Sequence, residues 1–101
     1  MTSTRPEIVC ICGSMQYAED MRALSHILTL AGFIVLMPTE IDTAITDEQK
    51  AALGELHLRR IDRADRVEVV NRGEHFGEST LREIAYAEAA GKPITFVGVT
   101  R

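Results

Sequence analysis

Apolar residues form four short continuous runs along the chain, and helix-like patterns separate them. The runs lie at positions 8–12, 33–37, 67–70 and 94–99. Amphipathic helices, with apolar side chains every three or four residues, are predicted over 17–31, 46–64 and 79–90. Continuous apolar runs are typical of parallel strands that are covered on both faces. The pattern therefore predicts a βαβαβαβ order.

This alternation predicts an α/β fold, a three-layer Rossmann-like or flavodoxin-like open parallel sheet of four strands. We expect the strand order 2-1-3-4, in which the switch point lies between the first and third strands. Ligands bind at that point in open α/β sheets, outside the carboxyl ends of the strands. A chain of 101 residues predicts a single domain spanning positions 1–101.

Local signals refine two of these elements. Thr46 precedes Gln49 by three residues, a capping signature that predicts a helix from there to about Ala64. Glu68 stands inside the third strand, where a buried carboxylate needs a partner. Either it lies at an exposed strand start, or it pairs with an arginine such as Arg66 or Arg72.

The composition, charge and motifs of the chain argue against several classes of function. The net charge is −4, with both signs scattered, which disfavours a broad basic face for nucleic-acid polymers. No apolar run is long enough for a membrane span, and positions 1–7 lack a signal-peptide hydrophobic segment, so we expect a cytoplasmic protein that does not bind membranes. Neither a Walker nor a dinucleotide fingerprint occurs, and we predict no cofactor.

The two cysteines lie in the first strand. Cys10 and Cys12 are two residues apart, so their side chains should point to the same side and remain reduced. A metal site would need further soft ligands nearby, and no sequence pattern supplies them. The sequence favours core thiols and predicts no metal.

Two loops at the carboxyl ends of strands are candidate ligand sites. After the first strand, Gly13 allows close backbone approach, and Ser14 can either donate its hydroxyl to a ligand or shape a plain turn. After the third strand, Asn71 can bond a ligand or cap the turn. A glycine-rich stretch then leads to Ser79 and Thr80, at a helix start whose free N–H groups suit an anionic small molecule.

For two titratable residues the sequence allows two alternative roles. Glu83 can face the ligand as nucleophile or base, or it can close a capping box with Thr80. His57 falls on or beside the apolar stripe of the second helix, where it is either a packed side chain or part of the site.

Taken together, three motifs resemble those of the nucleoside 2-deoxyribosyltransferase-like superfamily. They are an apolar strand ending in Cys-Gly-Ser, a helix of the form H-x-x-x-I-x-x-A-D, and the segment G-E-S-T-x-x-E-I-x-Y-A-x-x-x-G-K-P-I. The resemblance covers nearly the whole chain and is strongest to a small, mostly uncharacterised bacterial and phage branch. The deoxyribosyltransferases and the 2′-deoxynucleoside 5′-phosphate N-hydrolases are more distant.

The resemblance implies roles for individual residues. Glu83 matches the glutamate that attacks C1′ of the sugar and forms a glycosyl-enzyme ester. His57 stands where the characterised enzymes have an aspartate that assists departure of the base. The sugar or base would contact Gly13, Ser14 and Met15, and a 5′-phosphate would be held near Gly77, Ser79 and Thr80. The resemblance also implies a homodimer.

The leading hypothesis is thus an enzyme that cleaves the N-glycosidic bond of a nucleoside or nucleotide, more as hydrolase than as transferase. Glu83 would be the nucleophile, assisted by His57 or Asp65, although Asp65 can instead cap the helix-to-strand turn. The rival is a non-catalytic nucleotide-binding module in which Glu83 is only a cap. A flavodoxin-like signalling or cofactor domain is disfavoured, because the acidic cluster of a receiver domain does not follow the first strand.

Overall fold

The computed structural model describes residues 5–73 and 76–98. Its strands are β1 (Ile8–Gly13), β2 (Ile34–Leu36), β3 (Arg66–Val70) and β4 (Ile94–Val97). Its helices are α1 (Ala18–Leu30), α2 (Asp47–Arg63) and α3 (Glu78–Ala89), and a short 3₁₀ helix, Met15–Tyr17, precedes α1. The element order matches the prediction; the predicted end of the last strand, Val99, lies outside the described residues.

The four strands form one parallel sheet in the order β2-β1-β3-β4, as predicted. β1 is central and pairs with β2 on one side and with β3 on the other. At its carboxyl end Cys12 lies opposite Val69 and Gly13 lies opposite Val70. The predicted α/β architecture and strand order are confirmed, and the switch point lies between β1 and β3.

Helices cover both faces of the sheet, giving three layers. Val9 and Ile11 pack with Met21 and Leu28 of α1 on one face. On the other face, the side chains of Cys10 and Cys12 join an apolar core with α2 and α3 that includes Ile61. Alternate side chains of β1 therefore enter two different cores, and both cysteines point to the same side. No helix of the described chain has both the length and the apolar character of a bilayer span.

The start of α2 follows its predicted signal, whereas α3 begins earlier than expected. The hydroxyl of Thr46 accepts from the amide of Gln49, and the Gln49 side chain accepts from the amide of Thr46. α3 instead begins at Glu78 after Gly77, without a side-chain cap. Thr80 is thus the third residue of the helix, so of the two alternatives for Glu83 the capping box with Thr80 is wrong.

Glu68 is buried with a partner. Its carboxylate accepts from Arg66, two residues earlier on the same strand face. Arg66 in turn binds Glu7 and lies over the ring of Phe33. The second of the two sequence-based alternatives is therefore correct, with Arg66 rather than Arg72 as the partner.

Asp65 holds the amino-terminal edge of the sheet. Its Oδ2 accepts from the amide of Ile8 at 2.8 Å, and its Oδ1 accepts from Arg5 at 3.2 Å. These contacts, the amide first, hold the pKa of the Asp65 carboxyl below its ordinary value. The carboxylate thus ties the turn before β3 to the first residue of β1.

Asp65→Asn should lower the melting temperature at neutral pH, because the amide keeps an acceptor for Ile8 but loses the charge. The pKa of Asp65 is lower in the folded protein than in the unfolded chain. The stabilisation that its charge provides is therefore complete above the ordinary aspartate pKa of about 3.9, and it is lost as pH falls through the lower folded pKa. Melting curves by circular dichroism should therefore converge for the two proteins in acid. Asp42→Asn, at an exposed loop position, is the control. A difference that persists below the folded pKa would contradict the assignment.

Gly13 lets β1 and β3 close at the ligand edge of the sheet. A Cβ at this position would lie 2.9 Å from the carbonyl oxygen of Val70 and 3.3 Å from Sδ of Met21. The carbonyl belongs to β3, which pairs with a strand on each side, so moving it away would disturb the hydrogen bonds of the sheet.

Gly13→Ala should therefore destabilise the protein by about 1–3 kcal/mol, as overpacking typically does. Gly77→Ala is the matched control, because a Cβ there has nothing within 4 Å among the described residues and φ is −71°. Its cost should stay below about 1 kcal/mol. Urea unfolding measures both, and equal losses would refute the close approach as the cause.

Candidate functional site

A cleft of about 480 Å³ opens at the carboxyl edge of the sheet. Its walls come from the turn after β1, the residues after β2, one face of α2 and the first half of α3. This is the place that the predicted switch point indicated. The segments meet here because the carboxyl ends of β1 and β3 are neighbours in a parallel sheet.

The first predicted loop lines the cleft with Gly13, Ser14 and Met15. The hydroxyl of Ser14 accepts from the amide of Gln16 at 3.3 Å and so starts the 3₁₀ helix. A hydroxyl that accepts one hydrogen bond still has its own proton to donate. Ser14 therefore serves the turn and remains able to bind a ligand.

The amino terminus of α3 forms the opposite wall. Gly77, Glu78, Ser79 and Thr80 line the cleft. Ser79 is exposed, while Thr80 is 3% exposed and belongs to the wall itself. The first amides of a helix have no intrahelical acceptor, and the helix dipole adds positive potential, so this end suits an anionic group.

Glu83 points a carboxylate into the wall of the cleft, one and a half turns into α3. Within the described residues, its buried Oε1 has no hydrogen-bond partner. Burial raises the pKa of Glu83, and the charge of His57 and the thiol of Cys12 oppose that rise. Glu83 therefore caps no helix end, and its desolvated, unpaired oxygen at a ligand cleft makes it a candidate functional residue.

His57 is 2% exposed and lies behind this carboxylate in the wall of the cleft. Its Nε2 is 3.3 Å from Sγ of Cys12 and 3.7 Å from Sγ of Cys10. A hydrogen bond with Cys12 and the nearness of His57 lower the pKa of Cys10, and the same contact with Cys10 raises the pKa of Cys12. Cys10 is therefore the more acidic of the two thiols.

The other ring nitrogen of His57 faces a cation. Nη1 of Arg60 lies 3.3 Å from Nδ1. A guanidinium only donates, so Nδ1 must accept and a neutral ring carries its proton on Nε2, towards the sulfurs. Both ring nitrogens therefore already have partners within the protein. His57 belongs to the site, but this geometry does not suit it for donating a proton to a departing base.

Two cationic residues line the cleft although no sequence motif identified them. Lys50 and Arg82 line it, and Arg82 also binds the carboxylate of Glu55. Their exposed positions on helical surfaces look like ordinary solvated charges, and only the packing of α2 beside α3 brings them to one cleft. They make the mouth of the cleft more favourable to an anionic ligand.

Two predicted site residues do not line this cleft. Asp65 lies at the opposite edge of the sheet, before β3, so the structure supports its capping role over a catalytic one. Asn71 follows β3, but its Oδ1 accepts from the amide of Gly73 at 2.6 Å. It caps the turn, which was the structural alternative for this residue.

A second cavity of about 670 Å³ adjoins the cleft. The connection between β2 and α2 forms most of its wall, and it shares Met15, Thr39, Lys50 and Leu53 with the cleft. Each volume falls in the range typical of small-molecule sites. The two cavities provide room for a ligand with two separate parts.

Comparison of the sequence with known families gives no match. No family model matches the chain. No curated protein matches it either.

Comparison of the structure gives clear similarities. The chain resembles a 2-deoxyribosyltransferase from Bacillus psychrosaccharolyticus, with a TM-score of 0.73 and 15% identity over 88% of this chain and 70% of that one. A 2-deoxyribosyltransferase from Leishmania mexicana gives 0.71 and 16%, over 94% and 66%. A conserved protein from Enterococcus faecalis V583 gives 0.64 and 16%, over 91% and 63%. The chain thus spans only about two thirds of the length of these structures, and it has the fold of the 2-deoxyribosyltransferases.

Proposed function

We propose that this chain is a nucleoside 2-deoxyribosyltransferase-like protein that cleaves the N-glycosidic bond of a nucleoside or nucleotide. Hydrolysis is the proposed outcome, with transfer to a second base as the other way to resolve the same intermediate. The observation that supports this most directly is the Glu83 carboxylate, buried in the cleft with an oxygen that has no described partner.

In the proposed reaction an oxygen of Glu83 attacks C1′ of the sugar, and the bond between C1′ and the base nitrogen breaks. The base leaves with the electron pair of that bond and takes a proton from water in the cleft. A water molecule then attacks C1′ of the glycosyl ester, gives up a proton to solvent and releases Glu83 as a carboxylate. A carboxylate is suited to this task because it traps an oxocarbenium-like centre, as in retaining glycoside hydrolysis.

The ligand orientation follows from the charges of the cleft. A 5′-phosphate would lie at the amino terminus of α3, near Ser79, where free amides and Arg82 favour an anion. The sugar would lie between Glu83 and the turn at Ser14. The base would extend towards Met15 and the second cavity.

His57 is proposed to act on Glu83 rather than on the base. Its two ring nitrogens face Cys12 and Arg60, and its imidazole lies near enough to Glu83 to oppose the rise in the pKa of that carboxyl. This is a positioning role. Asp65 is left out of the proposed reaction because it lies at the other edge of the sheet.

A cytoplasmic homodimer, expected from the sequence and the family resemblance, remains part of the proposal. Large apolar side chains are exposed on α3 and β4, where Leu81 is 53% and Phe96 is 55% exposed. A second copy that covered them would bury apolar surface. Light scattering during size-exclusion chromatography tests the dimer directly.

Glu83→Gln should abolish base release, lowering the rate by roughly 10³-fold or more, because an amide is a poor nucleophile. Chromatography of free base, after incubation with nucleosides, deoxynucleosides and their 5′-monophosphates, measures the rate. Intact-mass spectrometry after an acid quench should detect the sugar ester on the unsubstituted protein alone.

Glu88→Gln is the matched control, since Glu88 is an exposed glutamate on the same helix. It should retain the activity of the unsubstituted protein. If that protein releases no base from any substrate but binds a nucleotide by calorimetry, the enzyme is excluded. The non-catalytic nucleotide-binding module would then be the function.

A further inference from the structure

Three side chains with metal-binding atoms meet in the core at His57, which also lines the cleft. Sγ of Cys10, Sγ of Cys12 and Nε2 of His57 all lie within 4.8 Å of one another, and all three residues are buried. The two cysteines lie on β1, and His57 lies on α2, 47 and 45 positions from Cys10 and Cys12 in the sequence. The sequence predicted no metal because it showed no further soft ligand near the cysteines, and packing supplies that ligand.

The spacing of these atoms matches tetrahedral coordination. Zinc bonds of about 2.3 Å to sulfur and about 2.0 Å to nitrogen place those two atoms about 3.6 Å apart. The observed distances from Nε2 to the sulfurs are 3.3 and 3.7 Å. Two zinc-bound sulfurs are about 3.8 Å apart, so the present sulfurs would need to approach by no more than about 1 Å.

A fourth donor lies beside the cluster. The Glu83 carboxylate lies near enough to Cys12 for the thiol to lower its pKa, and its Oε1 is buried without a described partner. Carboxylate oxygens are accepted zinc ligands, and an unpaired buried oxygen has a desolvation cost that a cation would relieve. Because Glu83 also lines the cleft, water or a ligand atom can take this position instead.

We propose that Cys10, Cys12 and His57 bind one thiophilic divalent cation of the Zn²⁺ type, with the fourth position open towards Glu83 and the cleft. Two thiolates and an imidazole select such ions over Mg²⁺ or Ca²⁺, which prefer oxygen ligands. On binding, the two thiol protons leave to solvent and the metal forms two bonds to sulfur and one to Nε2. The site does not depend on the proposed glycosidic reaction.

Arg60 determines which ring nitrogen of His57 carries the proton. While it donates to Nδ1, the ring proton sits on Nε2, the atom that must bind the metal. Binding therefore requires the proton to move to Nδ1 and the half-buried guanidinium to turn away. Metal-bound histidines normally donate their other N–H to an oxygen. Glutamine in place of Arg60 can provide that oxygen.

Titration of the whole chain with Co²⁺ tests the site. We expect one ion per chain, the near-ultraviolet charge-transfer band of a cobalt–thiolate bond, and visible bands of tetrahedral intensity, all displaced by Zn²⁺ and unchanged by excess Mg²⁺. Without the charge-transfer band in the unsubstituted protein, the site does not exist. That outcome leaves the glycosidic reaction untouched, because base release is measured separately in a metal-chelating buffer.

Substitutions locate the ligands. Cys12→Ser and His57→Asn should each weaken Co²⁺ binding at least about 100-fold, whereas His26→Asn, at an exposed histidine, should not change it. Glu83→Gln should retain the charge-transfer band, because both thiolates remain. Circular dichroism checks that each variant folds. Full binding by a folded Cys12→Ser protein would overturn the proposal.

Arg60→Gln tests the histidine independently of any ligand removal. It should tighten Co²⁺ binding about tenfold, in the range of effects from groups that orient a metal-bound histidine. Arg63→Gln, at an exposed position of the same helix, is its control. Unchanged or weaker affinity in Arg60→Gln would contradict the assignment of Nε2 as the ligand.

Discussion

The burial of β1 between two helical layers is the constraint on which the rest of the structure depends. Every side chain from Val9 to Cys12 is fully buried, half of them against α1 and half against α2 and α3. A polar group that reaches this strand must find its partners inside the protein. His57 and Glu83 both reach it near Cys12, and their chemistry follows from that shared desolvation.

One small cluster therefore carries both proposed activities. Burial desolvates the Glu83 carboxylate and raises its pKa, and the neighbouring His57 opposes that rise. The sulfurs next to the imidazole form a soft donor set. Both a nucleophile and a metal ligand act through a lone pair, and Glu83 has one buried oxygen without a described partner.

The two edges of the parallel sheet have different tasks. At the amino edge, the Asp65 carboxylate accepts from the amide of Ile8, the first residue of β1, and from Arg5. Both of its oxygens therefore have structural partners. At the carboxyl edge, the close approach of Gly13 to Val70 leaves room for the amides of α3 and for Glu83. At the amino edge the charge of Asp65 is paired with Arg5, whereas at the carboxyl edge Glu83 keeps one carboxylate oxygen without a described partner.

Local patterns in the sequence determined the element order, the strand order 2-1-3-4, the cap at Thr46 and the cleft between the loops after β1 and β3. These depend on periodicity and on residues three or four positions apart, which a sequence displays directly. Only the tertiary structure decided that α3 begins at Glu78, that Asp65 accepts from the amide of Ile8, and that His57 faces Cys10 and Cys12. Those outcomes depend on which helix faces pack together, since a hydrogen bond across 45 residues leaves no local pattern.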